Sequence, residues 1–114
     1  MSLPDLLHSH CIPRKGAEHA LEPDAIAELL ATVSDWQLNA DGLGISRKFT
    51  FTDFHQTMAF VNAVAWIAHQ EDHHPDMDVG YAHCALLFST HDVGGLSLND
   101  FICAAKVTQL LERG

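Results

Sequence analysis

Basic residues are scarce in this chain: six Lys and Arg stand against fifteen Asp and Glu, for a formal charge of −9. A nucleic-acid groove needs clustered cations to meet phosphates, so the composition argues against one. An uncharged or cationic small molecule is not excluded. No apolar run approaches the roughly eighteen residues of a transmembrane helix. The N-terminal stretch lacks the basic start and continuous apolar core of a signal peptide, so no membrane association is expected. Cysteine is sparse too. Cys11, Cys84 and Cys103 form neither a disulfide framework nor a CxxC pair, which fits a reducing, cytoplasmic setting. GxSxG and a Gly-rich phosphate loop are missing, as is HExxH, because Gln70 follows His69.

What remains is enough for one domain. A chain of 114 residues can bury one two-layer core but not two. Residues 1–21, punctuated by Pro4, Pro13 and Gly16, read as an irregular arm with at most a short turn around Leu3–Leu7. The domain proper is expected over 22–114. Pro23 and Asp24 suit a first helical turn, and Ile26, Leu29, Leu30 and Val33 repeat at helical spacing. A short strand over Trp36–Asn39 and a second over Ile45–Thr52 flank an Asp41-Gly42 hairpin signal. Arg47 is a misfit on the face shared by Ile45, Phe49 and Phe51. A second helix opens at Thr52 or Asp53 and must stop before Pro75. Met77–Thr90 alternates as one long strand, divisible near Gly80, with Cys84, Leu86, Phe88 and Thr90 on one face. Ser97 through Asp100 resembles a capping box that opens a last helix. The result is an α+β two-layer sandwich of order α-β-β-α-β-β-α, a four-stranded antiparallel sheet with helices on one face. Phe49, Phe51, Phe54, Phe60, Trp36 and Trp66 are read as core, as are Cys84 and Cys103.

His73-His74-Pro75 and Thr90-His91-Asp92 place three imidazoles at a helix exit and a strand exit. Imidazole titrates near neutrality, so it serves acid/base chemistry with little tuning. Asp72, Asp92 and Asp100 are placed to orient such rings. If the helix and strand pack side by side, both exits border one cleft. The plainer reading is exposed loop histidines, or cations at a helix C-terminus. Metal binding stays open as well, since His69 and His73 stand at i and i+4 with His91 as a third nitrogen. His8, His10, Cys11 and His19 in the arm read as solvated.

The run Arg47-Lys48-Phe49-Thr50-Phe51-Thr52-Asp53-Phe54, then Asp72-His73-His74-Pro75, Tyr81, and Ser89-Thr90-His91-Asp92 leading to Gly95-Leu96-Ser97 and Asp100 resembles the pterin-4a-carbinolamine dehydratases. The likeness covers about residues 22–112. It implies dehydration of 4a-hydroxytetrahydrobiopterin to quinonoid dihydrobiopterin, recycling the pterin spent by aromatic amino-acid hydroxylases, with no metal and no organic cofactor. By resemblance the catalytic set is His73, His74 and His91. His73 and His91 act as the acid/base pair at the C4a hydroxyl and N5, and His74 orients the pterin. Asp72, Pro75, Ser89, Thr90 and Asp92 would line the pocket, and Asp100 would support the histidines. The family's sheet carries helices on one side, and its members form homodimers or homotetramers. Vertebrate members also serve as dimerisation partners of a homeodomain transcription factor, so a non-catalytic binding module is the alternative. The chain departs from many members at His69, where Glu is usual, at Ala82-His83, and at Arg14, where bacterial relatives often carry a cysteine.

Overall fold

The computed structural model describes residues 1–112; the last two residues of the domain expected over 22–114 lie outside them. Eight regular elements follow one another: α1 (Leu3–His8), α2 (Pro23–Thr32), β1 (Gln37–Leu38), β2 (Ile45–Thr50), α3 (Phe54–Glu71), β3 (Asp76–Val79), β4 (His83–Phe88) and α4 (Leu98–Leu111). The four strands form one antiparallel sheet in the order β1-β2-β4-β3. This is the α+β sheet-and-helix architecture expected, with one further helix at its start.

Alternation explains the layers. Ile45, Phe49, Cys84, Leu86 and Phe88 point to one side and are buried with α3 and α4, whereas Ser46, Lys48, Ala85 and Leu87 keep contact with solvent. The long strand over Met77–Thr90 is a hairpin. It turns at Gly80, whose N–H donates to the His83 carbonyl at 2.9 Å, and a Cβ at Gly80 would collide with the His83 ring. Helix α4 is the central helix, lying against α1, α3 and β4. Packed from several sides, it buries Phe101, Ile102, Cys103, Ala104 and Ala105 in succession.

Three expectations change. Trp66 is 60% exposed and Phe54 48%, because Trp66 lies on the outer face of α3 with Asn62 and His69, and Phe54 opens that helix one turn ahead of buried Thr57. Arg47 sits on the core face of β2 without breaking it. Its guanidinium lies 4.5 Å from the Phe49 ring centroid, donates to Thr108 Oγ1 at 3.4 Å and reaches Asp35 at 3.6 Å, so the stem packs while the charge escapes the core.

The N-terminal segment is the third. Ser2 accepts the Asp5 N–H at 3.2 Å and donates its own N–H to the Asp5 carboxylate at 3.0 Å, a capping box that opens α1. Leu3, Leu6 and Leu7 then share a face, and Leu6 is fully buried in the core. Pro4, read as punctuation, falls in the first turn, where a helix tolerates it. Beyond α1 the chain is held by side chains of the domain. Glu71 Oε1 accepts the Cys11 N–H at 2.7 Å, and Oε2 lies 2.9 Å from His10 Nδ1 and 3.8 Å from Lys106 Nζ. Asn99 accepts the Ile12 N–H at 3.3 Å and donates to the Ile12 carbonyl at 2.8 Å. Gly16 donates to the Asp92 carbonyl at 3.0 Å and Leu21 to that of Leu96 at 2.8 Å.

Replacing Leu6 with Ala is expected to cost ~2–4 kcal/mol of unfolding free energy, because a fully buried side chain leaves a cavity. Urea denaturation checks this, and a cost below ~0.5 kcal/mol would mean that α1 is not part of the cooperative core. Burial raises the Glu71 carboxyl, but the Cys11 N–H, His10 and Lys106 outweigh it and hold the group below its ordinary range. A depressed folded-state pKa contributes stability above the unfolded value near ~4.3 and loses it as pH falls through the folded value. The stability gap between the native chain and Glu71→Gln should therefore be widest near neutrality and narrow steadily below about pH 4.3. A gap independent of pH between 7 and 3 would contradict that account.

Candidate active site

Helix α3 ends abruptly, and that ending makes the site. Asp72 adopts φ 51° and ψ 43°, the one non-glycine residue with positive φ among those described, while its N–H still caps the Ala68 carbonyl. Asp tolerates this left-handed region better than most residues. The reversal sends His73 and His74 out of the helical path toward Pro75, which disfavours helix in the residue before it. It also breaks the i, i+4 alignment behind the metal reading. His69 stays on the helix and stacks on Trp66, with ring centroids 5.6 Å apart, while His73 turns inward to 13% side-chain exposure. Among the described residues no group of three or more His, Cys, Asp and Glu is arranged to hold a metal ion.

His73 meets Asp100. Its Nε2 lies 2.6 Å from Asp100 Oδ1, and its ring runs nearly parallel to that of Phe88 with centroids 6.0 Å apart. Asp100 is fully buried in the first turn of α4, and its second oxygen is occupied too. Oδ2 accepts Thr90 Oγ1–H at 2.8 Å and the Ser97 N–H at 3.0 Å, and the Ser97 hydroxyl lies 2.7 Å from Thr90 Oγ1. No described buried side-chain polar atom lacks a partner. With two donors on Oδ2, Asp100 presents Oδ1 to His73 Nε2. Nδ1 is then the ring atom left for other chemistry.

The expected convergence is present. The exit of α3 and the exit of β4 border one cleft of about 360 Å³, lined by Asp72, His73, His74, Asp76, Leu87, Ser89, Thr90, His91 and Asp92. His91 opens a single 3₁₀ turn, His91–Val93, which Gly94 closes at φ 73°. Pro75 is buried and does not line the cleft, and Asp100 stands behind His73, out of reach of a ligand. Asp76 and Leu87 were missed by the sequence reading; they are register partners, so the pairing of β3 with β4 brings them to the cleft together. A second cavity of about 270 Å³ adjoins through Asp72, His73, Thr90 and Asp92, and residues 11–15 with Asn99 form its other side. No motif pointed to those arm residues. Cys11 Sγ lies 3.6 Å from Cys103 Sγ. That shared hydrogen bond, with burial, pushes the Cys103 thiol far above its ordinary range.

Comparison with known proteins gives the chain a family. Residues 19–110 match the model of the family described as pterin 4 alpha carbinolamine dehydratase. A Xanthomonas campestris protein, provisionally named a pterin-4-alpha-carbinolamine dehydratase, is 57% identical over 96% of this chain and 92% of its own length. A Stenotrophomonas maltophilia protein with the same provisional name is 56% identical over 95% and 93%. Among solved structures, a Brucella melitensis protein titled transcriptional coactivator/pterin dehydratase superposes with a TM-score of 0.77 at 27% identity, covering 80% of this chain and 97% of that one. A pterin dehydratase-like RuBisCO assembly factor of the α-carboxysome shares the fold alone, with a TM-score of 0.58 at 22% identity over 67% of this chain and 88% of that one. On the family match and on relatives above half identity along nearly its whole length, the chain belongs to the pterin 4 alpha carbinolamine dehydratase family.

Proposed function

We propose that the cleft binds a 4a-hydroxytetrahydropterin and dehydrates it to the quinonoid dihydropterin and water. The observation that carries this reading is the His73–Asp100 pair, 2.6 Å apart, with the second oxygen of Asp100 held by Thr90 and Ser97. A carboxylate so fixed holds the imidazole in one tautomer, with Nε2–H toward Asp100 and the Nδ1 lone pair free to accept a proton. In the reaction the C4a–O bond breaks and the hydroxyl takes a proton to leave as water. N5 loses its proton, and its electrons form the C4a–N5 double bond. His73 is the base at N5, and Asp100 stabilises the imidazolium that forms. His91, exposed on the other exit, is the acid at the hydroxyl and regains its proton from solvent. His74 orients the heterocycle, with Asp72, Ser89, Thr90 and Asp92 along the walls. In this reading the carbinolamine is supplied by a pterin-dependent hydroxylase of the aromatic amino-acid class, and the protein works as a homodimer or homotetramer.

The second reading, a dimerisation module, has one support: the Brucella melitensis protein of this fold is described as a transcriptional coactivator as well as a pterin dehydratase. A binding surface has no need for a buried carboxylate that holds an imidazole in one tautomer beside an open cleft, and this favours the enzyme.

The test is the absorbance decay of freshly generated 4a-hydroxytetrahydropterin with and without the protein. Acceleration over the spontaneous rate is expected, and both His73→Ala and His91→Ala should slow it by ~10²-fold or more. An unchanged rate in either variant sinks that residue's role. Asp100→Asn should lower kcat by a similar ~10²-fold. Because Asp100 acts through His73, adding Asp100→Asn to His73→Ala should cost little more. Full additivity of the two losses would separate the residues.

A further inference from the structure

The part of the site that the proposed dehydration does not use is the wall built by the N-terminal segment. The cavity there shares Asp72, His73, Thr90 and Asp92 with the histidine cleft, and Arg14 and Lys15 close its far side. These two lie outside the stretch matched by the family model, which starts at residue 19. Their position is nonetheless fixed. Arg14 is half-buried, and its Nε donates to Asn99 Oδ1 at 3.0 Å, the same Asn99 that grips the Ile12 backbone. Asn99 and Asp100 are consecutive residues of α4, so neighbouring side chains of one helical turn hold Arg14 and His73.

The uncommitted end of the anchored Arg14 points to a ligand. Of six basic residues in a chain of net charge −9, Arg47 pairs with Asp35 and Lys106 with Glu71. Arg14 and Lys15, like Lys48 on the open face of the sheet, pair with no carboxylate among the described residues, although Glu71, Asp72 and Asp92 border the same cavity. With Nε committed to Asn99, the two Nη groups of Arg14 have no described partner and form the planar fork that matches a carboxylate or phosphate. Lys15 adds an exposed point charge beside it. The cavity is therefore of mixed sign, with the two cations on the N-terminal side and the carboxylates of Glu71, Asp72 and Asp92 around them.

We infer that Arg14 and Lys15 form a subsite for an anionic group, carboxylate or phosphate, on the side chain of a pterin whose ring occupies the histidine cleft. This rests on the dehydratase reading for the identity of the ring. The anion sits in the arm's cavity while the ring lies between His73 and His91, so the N-terminal segment selects among pterins by their side chains. It takes no part in the chemistry.

The test is titration calorimetry on the full chain with three stable probes: neutral 6-hydroxymethylpterin, pterin-6-carboxylate, and neopterin monophosphate. At low salt at least one anionic probe should bind roughly tenfold tighter than the neutral one, the scale of a good charge-assisted fork. Added salt should erode that advantage. Preference for the carboxylate or for the phosphate supports the subsite in either case and names the group. Arg14→Gln keeps a donor for Asn99 while removing the charge, and Lys15→Gln removes the other. Each should bring the anionic probe within about threefold of the neutral one and leave the neutral probe's affinity unchanged. Equal binding of neutral and anionic probes by the native chain overturns the inference, as does a preference that survives both substitutions. A parallel rate assay with 4a-hydroxytetrahydropterins bearing neutral and anionic side chains separates the two proposals. Anion preference without turnover of either substrate keeps the subsite and removes the dehydratase reading. Turnover with no side-chain preference does the reverse.

Discussion

Everything near the cleft depends on one buried carboxylate. Asp100 accepts the Ser97 N–H that opens α4, the Thr90 hydroxyl at the end of β4, and the imidazole that follows α3. Three elements distant in sequence are therefore tied at a single residue with no exposure. A buried charge is tolerated only when its hydrogen-bonding capacity is filled, and here it is filled by the groups whose positions matter. An apolar residue in its place would spare the desolvation cost but leave Ser97 N–H, Thr90 and His73 without their shared acceptor. Fold stability and the placement of the proposed base are thus one interaction viewed from two sides.

The helix ends do the remaining positioning. A histidine inside α3 would keep helical phase and face wherever that phase dictates, as His69 does on the outer surface beside Trp66. The left-handed Asp72 resets the direction of the chain within one residue. At the other exit the 3₁₀ turn over His91–Val93 does the same for the strand. Both imidazole clusters therefore stand where regular structure stops yet remain anchored to rigid elements, which suits a site that must hold groups on either side of a flat ring.

Much of this could be read from the chain, for identifiable reasons. Period-two alternation through Cys84, Leu86 and Phe88 marked the core face of β4, and Ser97 to Asp100 marked the start of α4, because both signals are local. The cleft histidines were found by type and spacing. Three features were not readable. Arg47 looked wrong on its face because the Thr108 and Asp35 partners that relieve it are far away in sequence. Trp66 was read as core because hydrophobicity alone does not tell which face of a long helix meets the sheet. The N-terminal segment looked loose because what holds it, Glu71 and Asn99, are polar residues that no apolar pattern reveals.

That last point bears on how the segment is held. A Cys11–Cys103 contact of 3.6 Å invites a redox latch, yet the Cys103 thiol is pushed far above its ordinary range by its bond with Cys11 and by burial. Thiol exchange proceeds through the thiolate, so buried Cys103 is the poorer nucleophile of the two, and both stand as free thiols. The segment is instead held by reversible polar bonds to Glu71, Asn99 and the Asp92 carbonyl, together with one buried leucine. Of these, only the Glu71 contact depends on a titrating carboxyl, and its depressed pKa keeps it ionised through the neutral range. The wall that carries Arg14 and Lys15 is accordingly set at neutral pH and loosened by acid.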